Sequence, residues 1–417
     1  MLINSEGAAG IMKDIAQTQS FKDFSIYNYI YIDKTEQIYN LLKTRRVFIS
    51  RPRRFGKSLM LDTIGTLFAE GVDPYFKDTW IHDRWTDRKY PVLRLNFLDY
   101  LGDFDEFRKL LFKDIAFFAG KLGLPEAIAG DSEPHEAILD LLRALDDRNE
   151  SIVVLIDEYD AELTASINAP ELYERFRVAI RALYGAMKGK RCIRFLCVTG
   201  VTRLKDVSIF SVGSDIKDLS YHSPVSAITG FDRDEIRKYY ADYINFAVSL
   251  EKGIPQSGVS EEQREELLER LAAEYDGYSF DDEYQHRVFS TWSVNSFFHE
   301  AALRGKVIFG DYWYDNGGIP SILAKYLEKH SISPLKYSED IDVRISDFWN
   351  PTSLLNMKQE VLMCQTGYLT LHSRIPNGNS VRLGVPNREV RRSLEKALSL
   401  LIFPSADFAA DKNEEFF

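Results

Sequence analysis

Two short apolar runs, each ending in charged residues, constrain this chain more than any other feature. Val47-Phe48-Ile49 leads into Arg51-Pro52-Arg53-Arg54-Phe55-Gly56-Lys57-Ser58, and Ile152-Val153-Val154-Leu155-Ile156 leads into Asp157-Glu158, one hundred residues after Lys57. The second run is β-branched without alternation, the pattern of a strand buried on both faces, as in a parallel sheet covered by helices. After the first run, Met60, Leu61, Ile64, Leu67 and Phe68 recur at helical spacing until Gly71, so strand, loop and helix follow one another.

The first half of the chain repeats this alternation. Pro91–Phe97 and Cys192–Thr199 read as strands, and Asp103–Gly120, Ser132–Asp147 and Glu171–Met187 as helices. Buried strands separated by helices predict an α/β unit over residues 20–230, after an N-terminal extension of 1–19. Residues 231–403 are expected to form a mostly helical α+β domain, followed by a tail of 404–417. Helices are predicted over Asp234–Leu250, from Ser260 with its Gln263 capping box to Glu274, and over Pro351–Thr366. Tyr368–Arg374 and Val381–Val385 read as a hairpin around Asn377-Gly378, and Asn387 as the cap of a last helix to Phe403. Helix, hairpin, helix is compatible with a winged-helix-like module; a plain α+β packing domain fits the same pattern.

Composition removes several classes. With 45% hydrophobic and 13% aromatic residues the chain is not disordered, and no run approaches a membrane span. The opening MLINSEGAAGIMKDIAQTQS has no basic and apolar leader pattern, and three scattered cysteines form neither a disulfide framework nor a metal knuckle, so a reducing cytoplasm is expected. The net charge of −11 argues against nucleic-acid binding by bulk electrostatics. Against that average, Arg45, Arg46, Arg51, Arg53, Arg54 and Lys57 form an anion-seeking island with no acid among them.

The island overlaps the second half of a G-x-x-x-x-G-K-[ST] phosphate loop, with Arg51 where the first glycine belongs. Arg53, Arg54, Phe55, Gly56, Lys57, Ser58 and Leu59 are the expected nucleotide-binding segment. Gly56 lets the backbone approach, Lys57 neutralises β and γ oxygens, and Ser58 offers a hydroxyl to Mg²⁺. Asp157 would hold the Mg²⁺ opposite Ser58, and Glu158 would polarise a water for in-line attack on the γ-phosphate. Thr199, closing a third strand, stands as a γ-phosphate sensor or as a threonine satisfied by its own turn. Arg203 is expected to reach a phosphate, a neighbouring subunit or only solvent. Asp33, with Glu36 three residues on, reads as a helix cap, in a segment that could also border the adenine. The seven histidines include no pair at convincing metal-ligand spacing.

Tyr31-Ile32-Asp33-Lys34-Thr35, Ser50–Leu59, Leu155-Ile156-Asp157-Glu158-Tyr159-Asp160 and Thr199-Gly200-Val201-Thr202 resemble the bacterial AAA-ATPase-like family, whose loop reads RPRRFGKS. The resemblance continues through Tyr275–Tyr278, Gln365–Leu369 and Leu383–Val390. It implies a P-loop NTPase of the additional-strand class using ATP and Mg²⁺, and it makes Arg51 a habit of the family. Many relatives carry a PD-(D/E)xK nuclease domain after the segment matching Leu383–Val390; Arg391–Phe417 offers no such acids, so nuclease activity is not expected here. Three functions remain open: an ATPase driving or gating a conformational change, a nucleotide-gated switch with negligible turnover, and a nucleic-acid-binding regulator. The expected partners are ATP and a protein partner or a second copy of the chain, with nucleic acid open and no membrane.

Overall fold

A computed structural model describes residues 12–402 apart from 17, 101, 131, 205–214, 316–320, 328–336, 338, 350–352 and 376–377. The first five strands are β1 (Arg46–Ser50), β2 (Val92–Asn96), β3 (Ile152–Asp157), β4 (Ile193–Gly200) and β5 (Lys217–Asp218). They form one parallel sheet in the order β2-β3-β4-β1-β5. Strand β4 thus lies between the strand before the phosphate loop and the strand ending in the two acids. That interposed strand is what defines the additional-strand class. Its register pairs Ser50 with Gly200 and Ile156 with Val198, so the three strand ends finish level.

Alternating residues of each strand enter different cores. Phe48, Leu95, Val154 and Leu196 face the helices Phe104–Lys121, Pro134–Asp147 and Pro170–Met187. Val47, Ile49, Val153, Leu155 and Cys197 face the helix Lys57–Glu70 and its neighbours. Burial on both faces explains the unbroken apolar run of β3.

Helix boundaries follow their caps. The Asp103 side chain accepts from Glu106 N at 2.8 Å, Glu133 and Glu136 form a capping box, and so do Ser260 and Gln263. The helix expected over Asp234–Leu250 is two, Arg233–Tyr239 and Ala241–Lys252, because Tyr240 leaves helical geometry at φ −105°. With Glu261–Tyr275 and Thr291–Arg304 these build a third core.

The remainder runs helix Ser321–Leu327, β6 (Ile341–Arg344), helix Ile345–Trp349, helix Gln359–Thr366, β7 (Thr370–Arg374), β8 (Ser380–Gly384) and helix Arg388–Ile402. The antiparallel order β6-β8-β7 and this succession are those of a winged helix. Asn387 caps the last helix, its Oδ1 accepting from Val390 N at 2.9 Å. The expected helix over Pro351–Thr366 is shorter at its start: Ser353 caps a separate 3-10 turn and Met357 and Lys358 are extended. Pro351 and Asn377 lie outside the described residues. Leu362, Leu371, Leu383 and Val390 join the core of the first sheet face, so the winged-helix layer and the sheet share one apolar interior.

Candidate functional site

Between the end of β1 and the start of the next helix the chain has six residues in which to reverse. Arg54 and Gly56 do this in left-handed conformations, φ +70° and +85°. A Cβ on Gly56 would meet nothing within 4 Å, so the glycine is needed for its angle and not for space. The turn brings the helix N-terminus, where dipole and free N–H groups favour an anion, to the carboxyl edge of the sheet.

The level strand ends bring the sequence-predicted residues together. Ser58 Oγ donates to Asp157 Oδ2 at 2.6 Å, while Thr199 Oγ1 and the Glu158 N–H donate to Asp157 Oδ1. Thr199 is fully buried and meets the site through Asp157. Lys57 folds back over the loop: Nζ donates to the carbonyls of Arg51 at 3.2 Å and Pro52 at 3.3 Å and pairs with Glu158 Oε1 at 3.3 Å. Glu158 has φ +48°, and this left-handed turn sets it facing the loop while Tyr159 and Asp160 go inward. Asp160 accepts from the N–H groups of Val201 at 3.2 Å and Thr202 at 2.6 Å. Burial, and then the nearby Glu158, raise its carboxyl above the usual range. A Cβ on Gly200 would lie 2.5 Å from both Tyr159 and Asp160, so only glycine fits there.

The three loop arginines part company. Arg51 is buried, donating to Thr229 Oγ1 at 3.1 Å, to the Ser50 carbonyl at 2.8 Å and to the Ser220 carbonyl, with its guanidinium 4.2 Å from the Phe280 ring centre. Burial lowers its pKa to about 9. Arg54 Nη1 donates to the carbonyls of Tyr312 at 2.9 Å and Trp313 at 2.7 Å, tying the loop to the C-terminal half. Arg53 is exposed at the mouth of the site. Phe55 is fully buried against Tyr278, Phe280 and Trp313. Leu59 borders the cleft.

Arg203 takes none of its expected places. It is buried, its Nε donating to Asp218 Oδ2 at 2.8 Å, with Trp349 of the winged-helix layer beneath its guanidinium.

A cleft of about 780 Å³ opens over the loop. Beside Lys57 and Ser58 its lining includes the apolar and aromatic Tyr31, Ile32, Ile228, Phe231 and Trp292, with polar residues such as Lys34 and Asn295 among them. Asp33 stands one residue before the helix's N-cap, Lys34; its Oδ1 accepts from Thr35 N at 2.9 Å and its Oδ2 from Trp80 N at 2.6 Å, and the segment before it borders the cleft. Lys34 in the cleft wall donates to Glu235 Oε2 at 2.5 Å, and burial raises the Glu235 carboxyl. Ile228, Phe231, Tyr240 and Trp292 carry no local signature; distant segments bring them to the loop.

The model of the family described as predicted AAA-ATPase matches residues 16–210. An uncharacterised protein from the vnfD 5′ region of Azotobacter chroococcum mcd 1 is 31% identical over 386 residues, 90% of this chain and 68% of that protein. The chain belongs to the AAA-ATPase-like family. This AAA-ATPase-like protein has the sheet order and loop of a P-loop ATPase. Among solved structures, Cdc6p of Pyrobaculum aerophilum is similar at 11% identity over 92% of this chain and 96% of that one, with a TM-score of 0.29. The Aeropyrum pernix ORC1 protein in complex with DNA is similar at 11% identity over 92% and 98%, with a TM-score of 0.35. No helix among the described residues is long and apolar enough to cross a membrane.

Proposed function

We propose that the protein is a Mg²⁺-dependent ATPase whose turnover gates a movement of its C-terminal half. The observation that carries this is the convergence of Ser58, Asp157 and Thr199 in one hydrogen-bonded chain beside the Lys57–Glu158 pair, at the floor of a cleft with an apolar far wall. The triphosphate would lie on the helix N-terminus with Lys57 on its β and γ oxygens, and the base between the apolar walls. Among the described residues no group of three or more His, Cys, Asp or Glu could hold a metal. Ser58 and Asp157, with phosphate oxygens and water as further ligands, suit Mg²⁺, which would neutralise phosphate charge there. Glu158 would take a proton from water as the water oxygen bonds to the γ-phosphorus. The bond to the bridging oxygen breaks, and its electron pair leaves with ADP.

Coupling to the C-terminal half is supported by Arg54 on the Tyr312 and Trp313 carbonyls and by Thr291 Oγ1 donating to the Arg54 carbonyl at 2.7 Å. The three cysteines are buried and unpaired, consistent with the cytoplasm.

The Lys57–Glu158 pair also favours a second reading, a switch that binds ATP with negligible turnover, because it ties up the base. Glu158→Gln separates the two. An ATPase should keep ATP affinity and lose turnover by about 10² or more, whereas a switch releases no phosphate before or after the change. Lys57→Ala should remove Mg-ATP binding from a folded chain, and undiminished affinity by calorimetry refutes the site. A nucleic-acid-binding regulator has less support: the winged-helix layer's helix Gln359–Thr366 is buried from Val361 onward. Its Arg382 is paired with Asp342 and its Lys358 with Asp347.

A further inference from the structure

Two of the three loop guanidiniums are committed to backbone carbonyls, and the third is not. Arg51 and Arg54 together donate to the carbonyls of Ser50, Ser220, Tyr312 and Trp313. Arg54, in left-handed geometry, is held by Tyr312 and Trp313, whereas Arg53 is exposed and lines the cleft. Arg53 has no hydrogen-bond or ion-pair partner among the described residues.

A second, smaller chamber of about 110 Å³ continues from the cleft. It shares Arg53, Leu98, Glu158 and Thr366 with the cleft and is otherwise lined by Asp160, Thr164 and Lys325 together with the apolar Val201 and Ile322. At roughly 30 Å³ per liquid water it holds a few waters at most. Arg53 and Glu158 therefore stand at the threshold between the space over Lys57 and Ser58 and a small space of mixed polar and apolar lining behind it. In-line attack needs a water beside the outermost phosphorus, opposite the bridging oxygen and within reach of the base, and a water entering from this chamber passes Glu158 on its way there.

Building on the function proposed above, we infer that Arg53 contacts the outermost phosphate in cis, supplying from the loop itself the charge that other P-loop enzymes take from a second protein or domain. The chamber behind it receives the attacking water and then the released phosphate. The guanidinium has a planar fork that spans two phosphate oxygens, which a lysine cannot reproduce.

Calorimetry with Mg-ATP and Mg-ADP on the full chain, with steady-state turnover, tests this. The wild type is expected to bind ATP more tightly than ADP. Arg53→Ala should erase most of that preference while leaving ADP affinity within a few-fold, and should lower kcat by about 10³ or more, the range of a transition-state arginine. Arg53→Lys should recover little of the kcat. Mixing Arg53→Ala with Glu158→Gln should restore no turnover, because a cis arginine cannot serve another chain's site. An unchanged ATP-to-ADP affinity ratio in Arg53→Ala overturns the phosphate contact, and recovery of turnover in the mixture overturns its cis action. Failure of the wild type to bind either nucleotide would instead sink the nucleotide site as a whole, so the two failures are distinguishable.

Discussion

Glu389 opens the last helix with no exposed surface, Oε1 accepting from Trp313 N and Oε2 from Ser293 Oγ, each at 2.8 Å. Burial raises its pKa to about 8 from 4.5, and Asp311 adds to the rise; the two donors and Arg392 oppose it. A carboxyl raised on folding binds more protons in the native state than in the unfolded one between those two values. Its stabilising contribution is therefore complete below 4.5 and is lost as pH rises to about 8. At about 1.4 kcal/mol per tenfold change in proton affinity, the span from pH ~5.5 to ~8.5 removes about 3 kcal/mol. Glu389→Gln cannot titrate, its carbonyl can still accept from Trp313 N, and its amide can donate to Ser293. Urea unfolding followed by tryptophan fluorescence should show the variant losing about 3 kcal/mol less than the wild type over that pH range. Parallel pH dependences for the two proteins would refute the buried, protonated carboxyl.

Gly200→Ala should destabilise by about 2–4 kcal/mol, since its Cβ overlaps Tyr159 and the buried Asp160; an unchanged melting temperature counts against that contact. Arg51→Ala should lower thermal stability by removing the donor to the Ser50 and Ser220 carbonyls, leaving Mg-ATP affinity of the folded chain within a few-fold; a selective loss of affinity without a stability change would make Arg51 a ligand. Thr199→Val keeps the shape of a buried residue and removes the donor to Asp157, so turnover should drop about tenfold with ATP affinity little altered. Turnover equal to wild type would leave Thr199 a packing residue.

The convergence of the site's residues was legible in the sequence because its pieces are local. Gly56-Lys57-Ser58 must stand between a strand and a helix to present N–H groups, and a β-branched run closing on Asp157-Glu158 can place acids only at a strand end. Caps at Ser260 and Asn387 were legible for the same reason, since a side chain three residues from the N–H it satisfies needs no tertiary partner. Tertiary structure decided what Arg51, Arg53 and Arg54 do. The carbonyls and ring that engage Arg51 come largely from residues 220–229 and 280, and those that engage Arg54 from 312 and 313, segments distant in sequence. Three neighbouring guanidiniums of equal local preference thereby acquire different surroundings. The same holds for Arg203, drawn inward by Asp218, and for the apolar wall of the cleft, which joins residues near 31, 230 and 292. A guanidinium or an aromatic ring takes the partner that long-range packing supplies, and no local pattern encodes that choice.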